Sequence, residues 1–254
     1  MWGIIPAAGS GTRIQPLAFS KELLPVGGWL DGEIERPRAI SEYLVDRMLL
    51  AGVTKICFVI SPGKSDILEY YGSGKIDSAA FTFVVQPRPC GLCDAIFRAS
   101  PFIAGDESVC IGLPDTIWFP QHALCALPLD QLAFLLFPVE HPELFDAVTT
   151  DAQDRVLEIR VKQRDAGSRW IWGAFRMPGL ILHDLHRLWL EREQRDEYFG
   201  TLTNAWLARG GCAVAVRAGE SYVDVGTLHG YRQAIKILGR ADQKPQAQPE
   251  IIFA

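Results

Sequence analysis

Residues 2–13, WGIIPAAGSGTR, give the strongest local indication of the fold. The apolar run over 2–8 has the length of a buried strand, and it passes into a glycine-rich turn over 9–13. Three further apolar runs, rich in β-branched or aromatic residues, predict strands of the same sheet. They lie at 54–60, 81–86 and 108–113.

Helical periodicity separates these strands. Apolar residues at steps of three and four predict a helix from Ile40 to Ala51, closed by Gly52, and a second helix after Gly91. Strands that alternate with helices form βαβ units, so the chain is expected to be an α/β protein with a Rossmann-like, mainly parallel sheet flanked by helices. The second half adds predicted strands over 155–162, 169–176 and 212–217, and predicted helices over 180–192, 197–209 and 227–239.

Composition places the chain among ordinary globular proteins. Its 254 residues are 48% hydrophobic and 22% charged, which excludes disordered and fibrous classes. No linker-like stretch divides it, so we expect a single domain over 1–240 and a polar tail over 241–254. The net charge of −5 argues against a nucleic-acid-binding surface, which usually carries a basic excess.

Hydropathy and cysteine usage predict a cytoplasmic location. No apolar run reaches the roughly 18 residues that a membrane helix needs, so no membrane association is expected. No basic region precedes the first apolar stretch, which is therefore unlike a signal peptide. The 6 Cys are then expected to be reduced thiols.

The glycine-rich turn is a candidate phosphate site, because glycines let backbone N–H groups approach phosphate oxygens and Arg13 adds a cation. It does not fit a dinucleotide-binding fingerprint, which needs a third glycine where Ile14 stands. It does not fit a P-loop either, since no Gly-Lys-Ser/Thr follows at the required spacing. Taken alone, the turn is explained equally well as a plain connection after the first strand.

The longer segment over 3–26, GIIPAAGSGTRIQPLAFSKELLPV, resembles the signature of the sugar-1-phosphate nucleotidyltransferases, in particular the glucose-1-phosphate thymidylyl- and uridylyltransferases. Further landmarks of that family follow in the expected order, so that the resemblance extends from about residue 3 to about residue 240. They are Gln86-Pro87 with Gly91-Leu92, Pro114-Asp115, Trp172-Gly173 and Asp224-Val225-Gly226-Thr227.

This resemblance implies a glycosyltransferase-A-like nucleotidyltransferase fold, Mg²⁺ as cofactor and a homo-oligomer. It implies that an NTP, dTTP or UTP, reacts with a sugar 1-phosphate or a related small phosphate and releases pyrophosphate. Both reactants are anionic, so the site must hold like charges in line with cations, backbone N–H groups and metal. Two carboxylates at strand ends suit the octahedral geometry of Mg²⁺.

The resemblance also assigns roles to individual residues. Arg13, Lys21 and Asp115 are expected to be catalytic, and Asp115 and Asp224 to hold the metal. The nucleotide is expected to contact Ala8, Gly9, Ser10, Gly11, Thr12, Gln86, Pro87, Gly91 and Leu92. The sugar phosphate is expected to contact Lys162, Trp172, Gly173 and Glu197.

Three positions depart from the family pattern. Pro114 stands where the family has Gly, which removes one backbone N–H. Val161-Lys162 stands where the family has Glu-Lys, so Lys162 keeps the phosphate role while Val161 cannot bind a sugar hydroxyl. Glu197 is only a loose match for the family's acidic sugar-contacting residue. These departures leave open a nucleotide-sugar-binding protein without turnover.

A different function class rests on the cysteines. Cys90-Gly91-Leu92-Cys93 is a C-x-x-C sequence at a predicted helix N-terminus, where a thiolate is stabilised, so a thiol oxidoreductase is a competing hypothesis. A zinc site would need a second pair of ligands, and the remaining cysteines are isolated in the sequence.

Overall fold

The computed structural model describes residues 1–72 and 78–241, and one nine-stranded sheet forms the centre of this part of the chain. The first half contains β1 (Trp2–Pro6), β2 (Pro25–Asp31), β3 (Ile34–Ala39), α1 (Ile40–Leu50), β4 (Lys55–Ile60), α2 (Ser65–Gly72), β5 (Ala80–Val85), α3 (Gly91–Ala99), β6 (Ser108–Gly112) and β7 (Thr116–Phe119). The second half contains β8 (Leu132–Pro138), β9 (Asp146–Thr150), β10 (Val156–Val161), β11 (Trp170–Pro178), α4 (Gly179–Glu191), α5 (Phe199–Leu207), β12 (Ala213–Val216), β13 (Ser221–Asp224) and α6 (Leu228–Ala241).

The strands predicted in the first half form the parallel part of the sheet. β1 lies between β4 and β6 and is parallel to both, with Ile4 opposite Cys57 and Ile111, and β5 continues the parallel order beyond β4. The expected α/β fold is therefore confirmed. On the other side of β6, β11 runs antiparallel to β6, β8 and β9, and β10 pairs with β9.

Helices cover both faces of this sheet. Leu44 and Met48 of α1 and Ile67 of α2 are buried against one face. Residues of α3, α4 and α5, such as Ile96, Leu185 and Leu202, are buried against the other face. Two apolar layers of this kind fix the sheet rigidly and leave the strand ends to carry the functional groups.

Several short elements have no counterpart among the sequence predictions. β2 and β3 form an antiparallel hairpin between the first loop and α1, and β7 pairs antiparallel with β13 outside the main sheet. Helix α6 packs against this region through Ala234 and Leu238, which join Val26 and Val223 in a third apolar cluster. The last helix therefore supports both the segment after the glycine-rich turn and strand β13.

In the residues that the structure describes, no helix is both long and apolar enough to cross a membrane. Of the predicted tail over 241–254, only Ala241 at the end of α6 belongs to the described residues.

Candidate active site

The loop after β1 turns sharply at Gly11. Its φ of +63° lies in the left-handed region that glycine adopts without strain. A methyl group at this position would come within 2.7 Å of Cδ of Lys21, so glycine also provides the space in which the Lys21 side chain lies. The two landmarks of the predicted phosphate site, the turn and the lysine, are thus in direct contact.

Asp115 and Asp224 are brought together by the β7–β13 ladder. Asp115 precedes β7, Asp224 ends β13, and Thr116 and Asp224 lie opposite each other in the antiparallel register. The N–H of Val225 donates to the carbonyl of Asp115 at 2.8 Å, which continues the pairing. A methyl group on Gly226 would lie 2.8 Å from Oδ1 of Asp224 and 3.1 Å from Oδ2 of Asp115. The two carboxylates therefore face one point, which a glycine leaves open.

Each carboxylate is paired with a cation in the free protein. Lys21 Nζ lies 2.5 Å from Oδ2 of Asp115, and Arg13 Nη1 lies 3.0 Å from Oδ2 of Asp224. Burial alone would lower the pKa of Lys21, but Asp115, with smaller contributions from Glu22 and Asp224, raises it above its ordinary value. Lys21 is therefore firmly cationic where a phosphate would arrive.

Lys64 holds the glycine-rich turn and the Lys21 segment together, a role that sequence reasoning missed. Its ammonium donates to the carbonyls of Ala7 and Gly9 at 2.6 and 2.7 Å, and to both oxygens of the buried Glu22 at 2.7 and 2.8 Å. Burial lowers the pKa of Lys64 and raises that of Glu22, while each charge opposes the effect on the other.

Asp66 fixes the other neighbour of Lys21. Its carboxylate accepts from the N–H and the hydroxyl of Ser20, both at 2.6 Å. The sequence contains one signal for this arrangement, because Lys64 and Asp66 follow the carboxyl end of the apolar run over 54–60, and in a parallel sheet the carboxyl ends of neighbouring strands lie at the same edge. Lys21 is thus anchored on both sides by the segment after β4.

Arg13, Lys21, Asp115 and Asp224 line a cleft of about 400 Å³. The same cleft is lined by Asp146 at the start of β9, Lys162 after β10, Trp172 on β11 and Tyr198 before α5. Burial raises the pKa of the Asp146 carboxyl, although Lys162 and the Trp172 indole act in the opposite direction. The lining residues are Pro6, Gly9, Arg13, Lys21, Glu22, Leu92, Leu113, Asp115, Thr116, Leu144, Phe145, Asp146, Lys162, Trp172, Tyr198, Tyr222 and Asp224.

Lys162 has a left-handed backbone conformation, which is rare for a residue with a side chain. Its φ is +48°, a conformation that costs a residue with a side chain about 1–2 kcal/mol, and its N–H donates to the carbonyl of Phe145 at 3.0 Å. The ammonium lies 4.7 Å from the centroid of the Tyr198 ring. This cation thus lines the same cleft as the aspartate pair.

The donor set at Gly226 fits Mg²⁺. Carboxylate oxygens are the ligands that Mg²⁺ prefers, and it commonly takes one or two of them and completes its octahedron with water and substrate phosphates. Two oxygens face the open point at Gly226, and in the described residues no third His, Cys, Asp or Glu joins them. The site therefore suits a metal that arrives with a phosphate ligand.

Comparison with known proteins identifies the family. A family model described as Nucleotidyl transferase matches residues 2–240. The chain belongs to the nucleotidyl transferase family. Two relatives are the glucose-1-phosphate thymidylyltransferases of Neisseria meningitidis serogroup A and Mycolicibacterium smegmatis, which are 27% and 28% identical to it. These alignments cover 92% and 90% of this chain, and 81% and 78% of the relatives.

The fold is shared with solved structures of similar enzymes. A UTP-bound UGPase from Acinetobacter baumannii matches with a TM-score of 0.76 at 19% identity, over 96% of this chain and 94% of that one. The resemblance inferred from the segment over 3–26 is therefore confirmed at the level of family and fold.

The predicted nucleotide-binding residues of this nucleotidyl transferase differ in their exposure and in their distance from the cleft. Gly9 and Leu92 line the cleft, Ser10, Thr12 and Pro87 are exposed, and Ala8 is buried. Gln86 is buried, and its amide nitrogen donates to Asp94 at 2.7 Å and to the carbonyl of Gly91 at 3.1 Å. Its N–H groups are therefore used inside the protein, and its carbonyl oxygen is the group left for a ligand.

Two predicted sugar-side residues occupy supporting positions. Gly173 lies at a bulge in the β11–β8 pairing, where a methyl group would come within 2.6 Å of the Phe137 ring and 2.8 Å of the Tyr222 ring. The backbone carbonyl of Glu197 accepts from the N–H groups of Leu92 and Cys93 at the start of α3, and its exposed side chain does not line the cleft. The neighbouring Tyr198 does so instead.

The two cysteines of the C-x-x-C sequence have different surroundings. Cys93 is fully buried among apolar residues, and burial raises the pKa of its thiol far above the ordinary value, with Asp196 acting in the same direction. Only a thiolate attacks a disulfide, so burial disfavours Cys93 as a nucleophile, and Cys90 is the exposed thiol of the pair. This arrangement gives no particular support to the thiol oxidoreductase hypothesis.

Proposed function

We propose that the protein transfers the nucleotidyl group of a pyrimidine NTP, dTTP or UTP, to a sugar 1-phosphate or a related small phosphate, and releases pyrophosphate. The observation that carries this proposal is the grouping of Asp115, Asp224, Lys21 and Arg13 in the lining of one cleft that also contains Lys162. Two anionic substrates held in line need more than one positive group in the site. The names of the relatives support the same substrate class.

In this proposal an oxygen of the acceptor phosphate attacks the α-phosphorus of the NTP. The new P–O bond forms as the bond to the bridging oxygen breaks, and pyrophosphate leaves with the electron pair. Arg13 and Lys21 exchange their aspartate partners for phosphate oxygens, while the turn around Gly9 offers backbone N–H groups. Lys162 holds the acceptor phosphate. No side chain has to form a covalent intermediate.

Asp115 and Asp224 would hold a Mg²⁺ ion, which would neutralise charge on the NTP phosphates. The cavity left by Gly226 supports this assignment, because it keeps the point between the two carboxylates free of carbon atoms.

Gln86 contributes to the choice of base in this proposal. Since Asp94 and Gly91 take its N–H groups, its carbonyl oxygen can accept only from a base that presents an N–H, as uracil and thymine do at N3 and guanine does at N1. Adenine has an unprotonated ring nitrogen at the equivalent edge, so a buried acceptor would face it without a donor, at a cost of about 1–3 kcal/mol. The choice of a pyrimidine over guanine is supported by the names of the relatives alone.

The proposal is tested by measuring pyrophosphate release with four NTPs and a panel of sugar phosphates, using wild type, Lys21→Met and the control Lys236→Met on the exposed side of α6. Lys21→Met should lower kcat by roughly 10²–10³-fold, as for the loss of one preorganised charge donor, and the control should not. If no pair of substrates gives pyrophosphate, or if Lys21→Met keeps turnover within threefold of wild type, the proposal is wrong.

The alternative, a nucleotide-sugar-binding protein without turnover, was suggested by the missing carboxylate at Val161. It predicts nucleotide binding with no pyrophosphate release for any acceptor. Asp146 offers a carboxylate on the neighbouring strand, so the missing carboxylate at Val161 is a weaker argument for a protein without turnover.

A cytoplasmic location is supported by the free state of all 6 cysteines in the described residues. A homo-oligomer is proposed from the family alone.

A further inference from the structure

Asp146 places a carboxylate in the wall of the cleft. It begins β9, is half-buried, and lines the cavity. The Trp172 indole and the Lys162 ammonium both favour the charged form of this carboxyl, although neither forms an ion pair or a hydrogen bond of ordinary geometry with it. Half-buried carboxylates normally accept several hydrogen bonds, because removing their charge from water is costly. Asp146 therefore has acceptor capacity left for a ligand.

Trp172 adds an unsatisfied donor beside it. The residue is 6% exposed, yet its indole Nε1 is buried without a hydrogen bond of ordinary geometry. It is near enough to Asp146 to favour the charged form of that carboxyl. A buried N–H without a well-formed hydrogen bond destabilises the free protein, and a ligand oxygen would relieve this cost. The cleft wall therefore presents an acceptor and a donor side by side.

The register of the sheet explains how this carboxylate reaches the acceptor. In the antiparallel β9–β10 pair, Asp146 lies directly opposite Val161. Opposite residues project from the same face, with Cβ atoms about 4.5–5.5 Å apart. Asp146 thus carries a carboxylate next to the position at which Val161 replaces the Glu expected from the family resemblance. The N–H of Lys162 donates to the carbonyl of Phe145, the residue that precedes Asp146.

We propose that Asp146 and the indole N–H of Trp172 together bind one hydroxyl group of the acceptor, and that this pair selects an uncharged, hydroxylated phosphate such as a sugar or polyol phosphate. The inference rests on the proposed function for the identity of the reaction. A hydroxyl donates to the carboxylate and accepts from the indole at once, so it satisfies both groups.

Other substituents satisfy only one of them. An ammonium group would donate to Asp146 but leave the indole N–H unpaired, and it would meet the positive charge of Lys162. A carboxylate would accept from the indole but would be repelled by Asp146. A hydrogen or a fluorine in place of the hydroxyl would leave Asp146 without a donor. The pocket therefore discriminates at one position of the acceptor.

The test combines acceptor analogues with variants. For the best acceptor found in the pyrophosphate assay, single deoxy and fluoro analogues are compared in wild type, Asp146→Leu, Trp172→Phe and the control Asp106→Asn, whose side chain is exposed. In wild type, removal of one particular hydroxyl should lower kcat/KM at least tenfold. In Asp146→Leu the parent acceptor should fall to the level of that analogue, so that the difference between them disappears.

Acceptor and NTP dissociation constants, measured by calorimetry in parallel, separate the possible failures. NTP affinity should not change in any variant, and Trp172→Phe, which removes only the N–H, should reduce the hydroxyl preference even if Asp146→Leu folds poorly. Hydroxyl-selective binding that depends on Asp146 without turnover would contradict the proposed function but support this inference. An equal penalty for each missing hydroxyl in wild type and Asp146→Leu would overturn the inference alone, and no binding of any phosphate would overturn both.

Discussion

Lys162 shows how a single residue can trade backbone strain for position. Its left-handed φ of +48° follows directly after β10, where the chain turns away from the sheet. Residues other than glycine, asparagine and aspartate rarely adopt this conformation, and strain of this kind often marks a functional site. The sequence predicted Lys162 as a phosphate contact from a two-residue match, but no sequence pattern predicted its φ.

We expect Lys162→Ala and Lys162→Gly to separate the two effects. Both variants lose the ammonium group, so both should raise the KM of the acceptor by roughly tenfold or more, the value of one charge-assisted hydrogen bond. The free energy of unfolding of Lys162→Gly should nevertheless be about 1 kcal/mol higher than that of Lys162→Ala, because glycine adopts the left-handed region without strain.

Urea denaturation and acceptor kinetics on the two variants check this prediction. Equal stability of the two variants would show that the left-handed backbone is not maintained in solution, and an unchanged KM would show that Lys162 does not contact the acceptor.

At the scale of an element, the segment from Lys64 to Asp66 matters more than its length suggests. It contains the last residue of the β4–α2 loop and the start of α2, and it supplies the groups that hold Ser20 and Glu22, the two neighbours of Lys21. Removing one partner of a buried ion pair leaves the other charge buried and unpaired, which costs roughly 3–5 kcal/mol. Lys64→Met should therefore lose about that much stability at neutral pH.

The pH dependence of this loss follows from Glu22. Its pKa in the folded protein is already above the ordinary value because of burial, and losing Lys64 raises it further. A carboxyl group whose folded pKa is raised binds its proton more tightly in the folded state, so its favourable contribution is full below the unfolded pKa of 4.5 and disappears as pH rises through the folded value. The deficit of Lys64→Met should be smaller in mildly acidic buffer than at pH 8.

The double variant Lys64→Met/Glu22→Gln supplies the control, because it removes both charges and should recover much of the lost stability. Thermal unfolding of the single and double variants at the two pH values decides the matter. A deficit that is independent of pH, or a double variant no more stable than the single one, would count against an energetic role for the buried pair.

The elements that sequence reasoning located share a physical property. β1, β4 and β6 lie inside the sheet and β5 pairs with β4 at its edge, and all four have apolar, β-branched or aromatic runs long enough to be detected. β13 has only four residues, Ser221–Asp224, of which Val223 alone is fully buried, and a hydrophobic pattern of that length has no detectable period. The hairpin of β2 and β3 is mostly exposed and lacks the alternation that marks a half-buried strand.

The same limit applies to the candidate site. Arg13, Lys21, Asp115 and Asp224 were predicted because they belong to motifs that resemble a family. Lys64, Asp66 and Asp146 belong to no such motif, and their roles come from contacts that only the folded chain makes. Lys64 contacts Glu22, Asp66 contacts Ser20, and Asp146 lies opposite Val161.

At the scale of the whole molecule, the free site balances its own charge. Lys21 and Arg13 neutralise the two carboxylates that a metal would need. Mg²⁺ alone must displace both cations without giving them new partners, whereas Mg²⁺ with an NTP lets them move to phosphate oxygens. We therefore expect metal and nucleotide to bind with positive coupling, each raising the affinity for the other by the same factor.

Calorimetric titrations measure this coupling. NTP affinity should increase at least tenfold in the presence of Mg²⁺, and Mg²⁺ without NTP should bind weakly. Gly226→Ala should abolish the coupling, because its methyl group would lie 3.1 Å or less from both carboxylates, whereas Gly63→Ala, where an added methyl group meets no atom within 4 Å, should preserve it. Tight binding of Mg²⁺ alone, with no effect of NTP on it, would rule out the proposed exchange of partners.

The β7–β13 pairing also has a consequence for the timing of biosynthesis. Domains begin to fold from the N-terminal side as the ribosome extends the chain. A nascent chain that ends before residue 221 already contains the glycine-rich turn, Lys21, Lys64 and Asp115, but it lacks Asp224 and the strand that places it beside Asp115. Such a chain has half of the carboxylate pair and none of the support from α6. We therefore expect turnover by the proposed site to begin only after one of the last folded segments has left the ribosome, so that the onset of activity reports the completion of this part of the fold.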